Sequence, residues 1–146
     1  MENSEVEILL VEDDIDDAEM TMHAMRKFNL ANKLIHVTDG EEAMDFLLGK
    51  GKFIGRDVTL KPRLILLDLK MPKMDGMEVL EVIKSNSDTK KIPVVILTSS
   101  KEDPDVTRCY ELGANGYIVK PVEFDSFIKT VSELGMYWML LNHAPA

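Results

Sequence analysis

The stretch LILLDLKMPKMDGMEVLEVI, residues 64–83, carries the pattern that decides the fold. Its first four residues, Leu64–Leu67, are apolar without alternation, as in a strand covered on both faces. Asp68 follows, and then Leu69-Lys70-Met71-Pro72, which does not open a helix. Asp75 with Glu78 three residues on reads as a capping box. It stands ahead of a helix carrying Val79, Leu80, Val82 and Ile83. A doubly covered strand followed by an amphipathic helix is the repeating unit of a parallel α/β sheet.

The same unit recurs on either side. Val6–Val11 (VEILLV) is an apolar run with one Glu, ending in an acidic cluster. Ile92–Leu97 (IPVVIL) is the clearest strand, Tyr117–Val119 a short one before Lys120-Pro121, and Lys33–Val37 a weaker one. Helical spacing joins Ala18, Met22, Met25 and Phe28 across Asp14–Phe28. Asp39 and Glu42 form a second capping box, opening a helix to Leu48. A helix through Val106, Cys109 and Leu112 stops at Gly113, placed as a C′ residue. A last helix starts near Glu123 and carries Phe124, Phe127, Ile128, Val131 and Leu134. About five βα units predict one doubly wound α/β domain over residues 1–146. The segment Gly49–Pro62, with Lys50, Lys52, Arg56 and Lys61, is long for a connection. It reads as a surface loop, with a partner-contact loop as the alternative.

Composition narrows the class. The chain has 146 residues, with 17 Lys and Arg against 26 Asp and Glu, a formal charge of −9. A pI near 4.8 argues against nucleic-acid binding, which needs clustered cations. No apolar run approaches the ~18 residues of a membrane span. The acidic start MENSEVE does not resemble a signal peptide. The single Cys109 excludes an internal disulfide and fits a reducing compartment. A soluble cytoplasmic protein is expected.

Residues just past the C-termini of parallel strands meet at one sheet edge, where such folds bind ligands. Here they are Glu12, Asp13 and Asp14, then Asp68, then Thr98 and Ser99, then Lys120. Clustered carboxylates repel, and a proton or cation must relieve that cost. Oxygen ligands without His or Cys favour Mg²⁺ over Zn²⁺. Asp14, Asp16 and Asp17 are explained as well by the helix dipole. Asp68 and a Lys at the same edge are not.

In this order, LLVEDD, LLDLKMPKMDG, VVILTSS and GYIVKP resemble the receiver domain of two-component response regulators, over essentially the whole chain. The resemblance implies a flavodoxin-like fold with five parallel strands in order 2-1-3-4-5. It also implies a role for each matching residue. Asp68 would be the phosphoacceptor. Glu12 and Asp13 would hold Mg²⁺ with Asp68 and the backbone carbonyl of Lys70. Thr98 would donate to the phosphoryl group, Tyr117 would reorient with it, and Lys120, through a cis bond to Pro121, would pair with phosphoryl oxygens. Lys70 and Ser100 would flank the path of hydrolytic water. The expected partners are a sensor histidine kinase and a histidine phosphotransfer or effector protein. With no output domain after the last helix, a stand-alone regulator is expected. Its loop at 49–62 and Trp-containing last helix are similar to receivers paired with bacterial phytochrome kinases. The run Met136–Leu141 is apolar around its circumference, and a homodimer through it is one expectation.

Two rival classes read less well. Aspartyl phosphatases of the haloacid dehalogenase type need an Asp two residues beyond the nucleophile, where this chain has Lys70. A pseudo-receiver lacks the acidic pair, the acceptor Asp or the Lys, and all are present. His23, His36 and His143 have no metal or triad spacing and read as surface or core residues. Ser99 and Ser100 lack the nucleophile-elbow pattern.

Overall fold

The computed structural model describes residues 8–27, 33–69, 71, 74–99 and 104–135. Five parallel strands, β1 (Ile8–Val11), β2 (Leu34–Val37), β3 (Leu64–Asp68), β4 (Val94–Thr98) and β5 (Gly116–Val119), form one sheet in the order β2-β1-β3-β4-β5. Among the described residues, four α-helices connect successive strands, α1 (Ile15–Lys27), α2 (Gly40–Leu48), α3 (Gly76–Ser85) and α4 (Pro104–Glu111), and α5 (Phe124–Glu133) follows β5. Every residue of β1, β3 and β4 is buried, as their unbroken apolar runs require.

Alternate residues of these strands feed two cores. Leu9, Val11, Ile65, Leu67 and Ile96 pack with Phe46 and Leu47 of α2, Val79, Leu80 and Ile83 of α3, and Cys109 of α4. Ile8, Leu10, Leu64, Leu66, Val95 and Leu97 pack with Ala18 and Met25 of α1 and Phe127 and Val131 of α5. Fully burying each large side chain contributes about 1.5–3 kcal/mol.

Local chemistry sets the helix ends. The Asp39 carboxylate accepts from Glu42 N at 2.8 Å, and Asp75 accepts from Glu78 N at 3.0 Å. Glu42 returns its own bond to Thr38 N at 2.8 Å, one residue before the cap. At α4, Gly113 takes φ 109°. Its N–H donates to Tyr110 O, and Ala114 N donates to Cys109 O, the paired bonds of a Schellman end. β4 begins at Val94 rather than Ile92, because Ile92 N donates to Thr89 O in a turn and Pro93 has no N–H.

The connection at 49–62 contains a single 3-10 turn at Gly51–Phe53. The Arg56 guanidinium lies 3.8 Å from the Phe46 ring centroid and donates to Phe46 O at 3.2 Å and Leu60 O at 2.6 Å. Phe53 meets Phe46 edge to face, and Lys52 pairs with Glu42. The loop is thus fastened to α2 and enters β3 at the sheet edge opposite Asp68. Met136–Leu141, on which the dimer expectation rests, lies outside the described residues, as do Val6, Phe28, Lys70, Ser100 and His143.

Candidate functional site

Register aligns the strand ends. Val11 pairs with Val37 and Leu67, Asp68 with Leu97, and Thr98 with Val119. The next residues of β1 and β5, Glu12 and Lys120, therefore stand beside Asp68 and Thr98. Glu12 N donates to Val37 O at 3.0 Å, and its carbonyl accepts from His36 Nε2 at 2.7 Å. These bonds fix the backbone from which its fully buried side chain projects. Lys120 N donates to Thr98 O at 2.8 Å, and the peptide bond to Pro121 is cis, as expected.

Gly76 shapes the Asp68 side of the site. Its N–H donates to Leu69 O at 3.0 Å. A Cβ on Gly76 would lie 2.2 Å from the Asp68 carbonyl oxygen and 2.6 Å from Leu69 Cα. Only glycine lets α3 start this close to the end of β3.

Glu12, Asp13, Asp68, Thr98 and Lys120 line one cavity of about 250 Å³, together with Asp17. Lys120 Nζ lies 2.8 Å from Glu12 Oε1, 3.1 Å from Asp17 Oδ2 and 3.4 Å from Asp68 Oδ2. Burial pushes the Glu12 carboxyl up to about 7, helped by a hydrogen bond with Asp68 and opposed by Lys120. Burial would lower the Lys120 ammonium, but hydrogen bonds to Glu12 and Asp17 and the charge of Asp68 outweigh it and raise it. The lysine is cationic at any physiological pH.

The site suits a hard divalent cation. Carboxylate oxygens of Glu12, Asp13 and Asp68 lie within 4.8 Å of one another. Glu12 Oε1 is buried without a well-directed hydrogen bond among the described residues, with the Lys120 ammonium 2.8 Å away and the Asp68 carboxylate nearby. An all-oxygen donor set with excess negative charge fits Mg²⁺ or Mn²⁺ and not a soft metal.

All seven residues expected at this edge thus come together: Glu12, Asp13, Asp14, Asp68, Thr98, Ser99 and Lys120 line the cavity. Tyr117 does not line the cavity. It is half-buried against the core that holds α2, α3 and α4, with its ring 6.2 Å from that of Tyr110 in an edge-to-face pair. Asp14 is exposed and accepts from Asp17 N at 3.0 Å, which bears out its helix-start role. Asp17, Gly76 and His36 were not expected at the site. Asp17 had a sequence signal, since three residues past Asp14 is the same face of the helix. Gly76 closes the LLDLKMPKMDG motif but was given no role, and His36 had no signal, because strand pairing brings it in.

The response regulator receiver domain family matches residues 8–132. The chain belongs to the response regulator receiver family. It is 40% identical over 139 residues to the response regulator Rcp1 of Synechocystis sp., covering 95% of this chain and 92% of that one. The structure of the bacteriophytochrome response regulator AtBRR is similar at 47% identity and a TM-score of 0.86, covering 96% of this chain and 99% of that one. The Mn²⁺-bound form of Rcp1 has 39% identity and a TM-score of 0.74, covering 98% and 100%. The phosphorylated cyanobacterial phytochrome response regulator RcpA has 35% identity and a TM-score of 0.74, covering 93% and 95%. Among this receiver's described residues, no helix is long and apolar enough to cross a membrane.

Proposed function

We propose that the chain accepts a phosphoryl group from a histidine kinase onto Asp68 and reports it as a changed surface. The observation that carries this reading is the Lys120 ammonium, 3.4 Å from Asp68 Oδ2 at the edge where Thr98 and the acidic cluster meet. An Asp68 carboxylate oxygen attacks phosphorus, the P–N bond to the donor imidazole breaks, and the imidazole keeps the electron pair. Phosphoryl transfer depends on positioning and charge neutralisation, both of which this edge offers. Mg²⁺, held by Glu12, Asp13 and Asp68, would neutralise charge on the phosphoryl oxygens when bound. Lys120 supplies a second positive charge, and the Thr98 hydroxyl donates to a phosphoryl oxygen. The new charge biases a two-state surface in which Tyr117 is the moving ring.

The relatives support a phytochrome-type kinase as donor in the cytoplasm and a histidine phosphotransfer or effector protein as reader. The protein itself acts as a single receiver without turnover chemistry of its own beyond assisting its phosphorylation and dephosphorylation. Incubation with acetyl phosphate and Mg²⁺, followed by intact-mass measurement, tests the reading. Wild type gains one phosphoryl group and Asp68→Asn gains none. An equal gain in the variant overturns Asp68 as acceptor, and no gain in wild type supports a phosphorylation-independent pseudo-receiver instead.

A further inference from the structure

We infer that Asp17 is the resting counter-ion of Lys120, a positioning residue that the ammonium leaves when a phosphoryl group arrives. This rests on the proposed phosphoryl function and adds a residue that sets how readily the acceptor site engages its charge.

Lys120 Nζ is shared by three carboxylates at 2.8, 3.1 and 3.4 Å, from Glu12, Asp17 and Asp68. Two of these, Glu12 and Asp68, belong to the oxygen cluster suited to a divalent cation, and Asp17 does not. A cation in that cluster draws on the charge of Glu12 and Asp68 and weakens their hold on the ammonium. Asp17 is then the contact left in place. The Lys120 backbone is tied to Thr98 O at 2.8 Å, so the ammonium changes partner by side-chain rotation alone. On the other side, the Asp17 N–H is held by the Asp14 carboxylate at 3.0 Å at the start of α1. Both ends of the contact are anchored, and only its charge pairing is free to exchange.

The Asp17 side chain is 40% exposed and that of Lys120 20%. A pair this open competes weakly, so its loss shifts the exchange by about two- to five-fold. The direction is set by which state contains the pair. Asp17 holds Lys120 in the unphosphorylated state, so removing it favours the state in which Lys120 meets a phosphoryl oxygen.

The probe is beryllofluoride, an anionic phosphoryl mimic that bonds to a carboxylate oxygen, titrated in saturating Mg²⁺ and read by calorimetry. Asp16→Asn is the control, because Asp16 is exposed in the same helical turn and its replacement removes the same charge. Asp17→Asn binds beryllofluoride about two- to five-fold more tightly than Asp16→Asn, and Asp17→Glu stays near wild type. Equal affinity in the two Asn variants overturns the inference, since Asp17 then acts only as a nearby charge. Weaker binding by Asp17→Asn also overturns it, because Asp17 would then hold Lys120 ready rather than withhold it. Wild type that binds no beryllofluoride, like Asp68→Asn, overturns the phosphoryl reading itself and the inference with it.

Discussion

Replacing Gly76 with Ala should cost stability and phosphorylation together. At most sites the opposite holds for stability. Ala lowers the entropy of the unfolded chain by about 0.4–1 kcal/mol relative to Gly, and it favours a helix by up to about 1 kcal/mol. The surroundings of Gly76 reverse that sign. The added Cβ would sit 2.2 Å from the Asp68 carbonyl oxygen, 2.6 Å from Leu69 Cα and 2.9 Å from Asp68 C. These are backbone atoms that cannot rotate away. Restoring an ordinary separation of about 3.4 Å needs about 1.2 Å of relative movement between α3 and the end of β3. Overpacking costs about 1–3 kcal/mol, and against fixed backbone it lies toward the upper end, above an intrinsic gain of at most about 2 kcal/mol. The displaced backbone carries Asp68, and a shift near 1 Å can lower a positioned reaction by about 10²-fold. Urea denaturation and the initial rate of acetyl-phosphate labelling are the two assays. A variant as stable as wild type that labels at the same rate would refute the claim that this close approach sets the acceptor position.

Three other outcomes follow from the same structure. In the metal-free protein, Glu12 has a folded pKa of about 7 against 4.5 for the free group, so the folded state binds more protons between those values. This contribution to stability therefore falls as pH rises from about 4.5 to 7, by roughly 3 kcal/mol at most. Lys120 stays charged across that window and adds no slope. Urea midpoints in EDTA should show the fall in wild type and lose it in Glu12→Gln; identical profiles would remove Glu12 as its source. Asp13→Ala should weaken Mg²⁺ binding by calorimetry at least ten-fold, and unchanged affinity would take Asp13 out of the ligand set. Arg56→Ala removes two hydrogen bonds and the stacking on Phe46, and should cost about 1–3 kcal/mol with labelling at Asp68 unaltered. A slowed labelling rate would show that this loop reaches the opposite edge.

The strands were legible because β1, β3 and β4 are covered on both faces and so read as unbroken apolar runs. Their boundaries were less so. The chain around Ile92-Pro93 is apolar enough for a strand, but its N–H bonding belongs to a turn. Strand order depends on which way each crossover passes over the sheet. Periodicity does not encode that, and the order followed from the four-motif resemblance alone. At the site, Glu12, Asp13, Asp68, Thr98 and Lys120 were legible because each ends a strand or lies within two residues of its end. Asp17 was read as a dipole partner of α1, which its place in the first turn explains equally well. Its second role depends on Lys120, 103 residues later in sequence. Gly76 stood in the LLDLKMPKMDG motif, but nothing near it in sequence reports how closely α3 approaches Asp68.

The most direct measurement traps the phosphorylated side chain itself. An acyl phosphate on an aspartate is reduced by borohydride to homoserine, whereas a phosphoester or a free carboxylate is not. After brief labelling with acetyl phosphate and Mg²⁺, reduction and peptide mass spectrometry should find homoserine at position 68, in the peptide containing Leu64–Leu67. The signal should vanish without Mg²⁺ and in Lys120→Met fall well below wild type. Homoserine at Asp13, Asp14 or Asp17 in place of Asp68, or none at all in a protein that has gained phosphoryl mass, would contradict the assignment of Asp68 as the acceptor.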